Sequence, residues 1–169
     1  MTTIRNAWSD FQAAEPDLAR TVEERFGAFR HHVLATLRRD GSPRLSGLEA
    51  EFREGELWLG MMHHSRKALD LRRDPRFALH ANPGPGQEMN GGDVRIDGRA
   101  VEVTDPAVLA RYAEDSGQPG PLHLFRAEIR EVMRIRVEGN ALVIQSWAPG
   151  RGLRTMSPGS GDAPPPKDV

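Results

Sequence analysis

The chain has 169 residues, 38% of them hydrophobic and 28% charged, which suits one domain with a real core. A formal net charge of -1, with arginines spread among acidic residues, gives no basic field for nucleic acid; the lack of cysteine removes disulfides, thiolate catalysis and Cys-ligated zinc. The N-terminus has no apolar signal-peptide core and no stretch nears the roughly 18 apolar residues of a membrane span, so a cytoplasmic protein is expected.

After a polar N-terminal segment, residues 1–16, Glu15-Pro16-Asp17 opens a predicted helix in which Leu18, Val22, Phe26 and Phe29 recur at helical spacing, with His31 and His32 at its end. Val33 to Leu37 and Arg44 to Phe52 are predicted strands joined by a turn carrying Asp40-Gly41, and Glu56 to Met61 follows as a third. A short helix is expected after Ser65, stopped by Pro75, and Phe77 to His80 is a short strand. The Pro- and Gly-rich run from Asn82 to Gly92 is a loop of the kind that borders a site. Asp93 to Val103 alternates with a bulge expected near Gly98, and Thr104-Asp105-Pro106 starts another short helix. Leu124 to Val137, with Phe125, Ala127, Ile129, Met133, Ile135 and Val137 on one face, pairs with Ala141 to Trp147 across Glu138-Gly139-Asn140. From Ser157 onward nothing apolar anchors the chain, so residues 157–169 form an expected disordered tail and 17–156 the domain. Six to eight mostly hairpin-connected strands with two or three short helices predict a mainly β fold, a split antiparallel barrel.

The start of the Ser65 helix is the most informative stretch. Arg66 and Lys67 fall in its first turn, where the helix dipole favours negative charge, so two cations beside unpaired N–H groups suit a bound phosphate; a solvated helix start is the alternative. Only Lys67 and Lys167 are lysines among the 23 basic residues, so the folded part keeps a single ammonium. His63 and His64 are adjacent and expected to point apart with no third ligand nearby, so no metal site is predicted.

Leu34-Ala35-Thr36-Leu37, Asp40-Gly41-Ser42-Pro43-Arg44-Leu45-Ser46-Gly47, Glu56-Leu57-Trp58-Leu59-Gly60 and Ser65-Arg66-Lys67-Ala68 with Leu71 to Arg76 together resemble the FMN-binding split β-barrel proteins related to pyridoxamine 5'-phosphate oxidase, over residues 24 to 152. The resemblance implies a homodimer binding FMN or the deazaflavin coenzyme F-420 between subunits. It places Arg44, Leu45 and Ser46 beside the ring, Met61 and Met62 on the strand leading to the phosphate, and Ser65, Arg66 and Lys67 on the phosphate. Trp147 and Arg151 approach the ring or substrate from one subunit or the other. Nothing after Trp147 reproduces the family's Arg-Leu-His-Arg element, which argues against oxidation of pyridoxamine phosphate itself. The implied function is a flavin- or deazaflavin-dependent oxidoreductase for a small conjugated or heterocyclic substrate; the alternative is a protein that binds flavin, haem or another tetrapyrrole without turnover.

Overall fold

The computed structural model describes residues 6–85, 91–118 and 120–157. The predicted tail from residue 158 on, and residues 86–90 of the predicted loop, lie outside the described residues. The N-terminal half runs α1 (Trp8–Ala14), α2 (Pro16–Gly27), β1 (His32–Leu37), β2 (Pro43–Leu48), β3 (Ala50–Arg53), β4 (Glu56–Met62) and α3 (Arg66–Arg73). It continues with β5 (Arg76–His80), β6 (Asp93–Val103), α4 (Pro106–Ser116), β7 (Leu122–Glu138), β8 (Ala141–Ala148) and β9 (Gly152–Met156). Among the described residues all the strands belong to one antiparallel sheet, as the hairpin-rich sequence predicts, with one more strand and one more helix than the pattern suggested.

The sheet order β2-β1-β5-β6-β7-β4-β3 puts β2 and β3 at opposite ends, yet only Glu49 separates them in the chain. The stretch predicted as one strand from Arg44 to Phe52 therefore breaks at Glu49; its first half pairs with β1 and its second with β4, which closes the sheet on itself. Glu49 is not a turn-forming residue, so the sequence does not mark the break. A long β7 is the spine: it pairs with β6 along most of its length, with β4 near its start and with β8 near its end.

The expected bulge is present between Asp97 and Gly98, but the extra residue is Arg130 on β7, since Asp97 faces Glu131 and Gly98 faces Ile129. One inserted residue flips the side-chain parity. Ala127 and Ile129 are buried before it and Val132 after it, so Met133, Ile135 and Val137 do not continue the core face as the sequence suggested.

The interior holds Leu34, Leu57, Leu59, Leu79, Val94, Ile96, Phe125 and Ile129, with α2 packed on it through Leu18, Val22 and Phe26. Within the N-terminal stretch, the described residues from Trp8 to Ala14 form a helix that packs on the domain. Trp8 and Phe11 of α1 are fully buried in the same core; Trp8 packs on Phe52 with centroids 4.5 Å apart, and Phe11 on Trp147 at 4.9 Å. His32 likewise begins β1 rather than ending a helix. It is buried beside Phe26, and its Nδ1 accepts the Asn82 N–H at 3.1 Å. Burial there pushes the imidazole pKa below its usual value.

Candidate functional site

β4 ends at Met62, and the chain turns through His63 and His64 into α3, whose N-cap is Ser65 as expected. Its hydroxyl caps nothing: Ser65 Oγ is shielded from solvent without a hydrogen-bond partner among the described residues, and Ser46 Oγ on β2 shares that condition. A buried hydroxyl left unpaired costs about 1–3 kcal/mol, so Ser65 at the helix start has room for a further hydrogen-bond partner. The helix start carries no acidic residue in its first turn. Its open N–H groups and dipole remain available to an anion.

Arg66 and Lys67 face different concavities. Lys67 is half-buried on the wall of a groove of about 460 Å³ lined also by Gly47, Met61, Met62 and Leu122. Its ammonium donates to the Gly47 carbonyl, and desolvation holds its pKa below the ordinary lysine value. Arg66 is exposed on a second concavity of about 820 Å³, shared with Arg38, Arg39, Arg44, Arg72 and Arg73. The volume of the Lys67 groove lies within the range of small-ligand sites.

Arg44 has a structural partner. Its Nε donates to Asp70 Oδ2 at 2.7 Å; Thr36 Oγ1 donates to the same oxygen at 2.9 Å and Arg73 Nη2 to Oδ1 at 3.0 Å. Burial alone would raise the Asp70 pKa, but these three donors outweigh it and hold the carboxyl below the usual range. Asp70 thus ties β1, β2 and α3 together beneath the helix start. Leu45 points outward on β2 and is 70% exposed, and Met62 is 78% exposed.

Trp147 and Arg151 do not join this group within one chain. Trp147 is a core residue against Phe11, and Arg151 bonds Ser146 Oγ and reaches Glu131 at 3.5 Å. Trp147 pairs with Val132 in the middle of β7, away from Leu122, and Arg151 lies in the turn between β8 and β9.

The histidine pair behaves otherwise than expected. His64 adopts a left-handed backbone, φ 58, and the His63 and His64 rings sit 3.8 Å apart rather than pointing away from each other. A third imidazole, His123 on β7, comes beside them because β7 pairs Met61 with His123. His123 was missed: a lone histidine in an apolar strand carries no spacing signal, and only the register brings it to His63. His123 Nδ1 contacts Glu102 Oε1 at 3.0 Å, and Arg72 grips Glu102 with two bonds of 2.8 Å.

A nine-stranded antiparallel sheet closed by its own chain, with a groove walled in part by Lys67 at the β4–α3 junction, defines a split-barrel protein. The chain belongs to the pyridoxamine 5'-phosphate oxidase family, whose model matches residues 18–146. Among solved structures it is similar to PhzG from Burkholderia lata in complex with tetrahydrophenazine-1-carboxylic acid (15% identity, TM-score 0.60, covering 88% of this chain and 94% of that one). It is also similar to HutZ, the heme storage protein of Vibrio cholerae (20% identity, TM-score 0.51, 69% and 90%). A third is a heme binding protein from Mycobacterium smegmatis (18% identity, TM-score 0.55, 76% and 57%). At these identities the likenesses establish the fold. No match was found among curated protein sequences.

Proposed function

We propose that the protein is a homodimeric oxidoreductase that binds FMN or the deazaflavin coenzyme F-420 and acts on a small conjugated or heterocyclic compound. The observation that carries this reading is the half-buried Lys67 ammonium on the groove wall, beside a helix start whose Ser65 hydroxyl has no partner among the described residues. A phosphate fits that setting, since it accepts from the ammonium, the hydroxyl and the first-turn N–H groups together. Ser65 and Lys67 hold the phosphate, the exposed Arg66 side chain turns to it from the neighbouring concavity, and Ser46, Met61 and Met62 line the way to the ring. Arg44 faces the Arg66 concavity while its Nε stays on Asp70. The bound coenzyme supplies hydride transfer; the chain orients it and keeps water away through Leu45 and Met62. Trp147 is left out of the contact set because the core uses it. Among the described residues no helix is long and apolar enough to cross a membrane.

Titration of FMN and the deazaflavin coenzyme into wild type, Lys67→Ala and Arg66→Ala at fixed low salt tests the reading. Each charge-assisted bond contributes about 1.5–3 kcal/mol, so each variant is expected to bind roughly tenfold to a hundredfold more weakly. Unchanged dissociation constants would remove the phosphate site. The likeness to two proteins named for heme favours one second reading, a haem-binding protein without turnover. A Soret band on haem titration, with no saturable binding of either flavin, would select it.

A further inference from the structure

We propose that His63, His64 and His123 form a three-histidine site for a divalent transition metal ion of the zinc, cobalt or copper type, with a fourth position open to water. Nothing in the cofactor reading requires this site, and it stands on separate residues. One nitrogen from each ring lies within 4.8 Å of the others. A tetrahedral ion with bonds of about 2.0–2.1 Å spaces its ligands roughly 3.3 Å apart, so the cluster must tighten by somewhat more than an ångström. His63 and His64 are exposed, so their side chains have the room to turn; His123 is buried and fixed.

His123 is the preorganised member. Its Nε2 accepts the His64 backbone N–H at 3.1 Å, which requires a lone pair on Nε2 and a proton on Nδ1. That Nδ1–H is aimed at Glu102 Oε1, 3.0 Å away. A carboxylate behind a histidine, holding its tautomer so that the other nitrogen faces an ion, is the supporting arrangement that metal-ligating histidines use. An incoming ion takes the place of the His64 N–H, which lies at the exposed turn and can bond water instead.

Arg72 is an opposing charge beside the cluster, but Glu102 takes two of its donors at 2.8 Å and offsets it. Without cysteine in the chain, the donor set is imidazole alone, which suits zinc, cobalt, nickel and copper and disfavours magnesium and calcium. Packing three imidazoles together has no evident structural use: two are exposed, and the first sits beside His123 with rings 4.9 Å apart and nearly parallel.

The test uses the untagged full chain and cobalt(II) as an optical probe, with zinc as competitor. Expected are one cobalt per chain, the intense visible bands of a four- or five-coordinate ion, and their loss when zinc is added. His63→Ala and His64→Ala, both at exposed positions, should each weaken binding at least tenfold, and Glu102→Gln, acting through His123, about tenfold. His31→Ala, on a residue outside the cluster, should change nothing. The proposal fails if cobalt does not saturate, if its spectrum stays that of the hydrated ion, or if His63→Ala and His64→Ala bind as wild type. It also fails if those two weaken binding while folded Glu102→Gln and His123→Gln do not, because the ion would then be held by the exposed pair alone.

Discussion

Asp70 is the residue on which the helix start depends. It is buried, with Arg44, Thr36 and Arg73 as its donors, and removing the charge from a buried pair commonly costs about 3–5 kcal/mol. Both arginines are partly exposed and can recover water, so Asp70→Asn is expected at the low end, about 3 kcal/mol less stable in urea unfolding. Its folded pKa lies below the unfolded value of about 3.9, so the carboxylate contributes its stability above that pH and loses it as pH falls through the lower, folded value. Wild type should therefore lose stability in acid more steeply than Asp70→Asn below about pH 4; parallel curves would show that the carboxylate is not the source. Lys67 is predicted to behave oppositely. Burial penalises its charge in the free protein, so Lys67→Ala should leave the coenzyme-free melting temperature unchanged or raised, and a drop of several degrees would make Lys67 a structural residue.

At the scale of elements, the β6–β7 bulge has a steric requirement. A Cβ on Gly98 would lie 2.2 Å from the Glu128 carbonyl oxygen and 3.1 Å from two Phe77 ring atoms, and the carbonyl belongs to a paired strand that cannot step aside. Gly98→Ala is expected to cost about 2–3 kcal/mol in denaturant unfolding, and a loss under 0.5 kcal/mol would show that the bulge adjusts freely. The bulge was legible because glycine interrupts an alternating run; its extra residue, Arg130, was not, since only the facing strand's register shows which side gains. α1 was illegible for another reason. Seven residues give too little period to separate a helix from a polar lead-in, and the pull that orders them is tertiary, Trp8 and Phe11 in the core. Phe11→Ala should cost about 3–5 kcal/mol, measured the same way, whereas a truly separate segment would tolerate it. The site shows the same division: the α3 start was readable from the residue type of Ser65 and its end from Pro75, while the Arg66–Lys67 divergence and the arrival of His123 depend on packing between distant strands.

At the scale of the whole molecule, the outer face of the β1–β2 hairpin poses a question of cover. A solvated antiparallel face should be polar, yet here it presents Val33 and Ala35 from β1 against Gly47 and Leu45 from β2. Val33 is 41% exposed and Leu45 70%, and Met62, on the rim of the Lys67 groove, is 78% exposed. An apolar patch continuous with a groove suits a protein partner better than water. A second copy of the chain, the partner in the proposed dimer, would cover the hairpin face and supply the groove with its other wall, and the Leu45 and Met62 side chains would then exclude water from the ring. Light scattering of wild type should give a dimer mass across the micromolar range. Leu45→Arg places a charge where the two copies meet, and burying an uncompensated charge costs several kcal/mol, so the variant should run as a folded monomer. The same substitution should weaken coenzyme binding although Leu45 offers the phosphate nothing. A monomer mass for wild type, or a Leu45→Arg monomer that binds FMN and the deazaflavin as tightly as wild type, would show that one chain completes the groove alone.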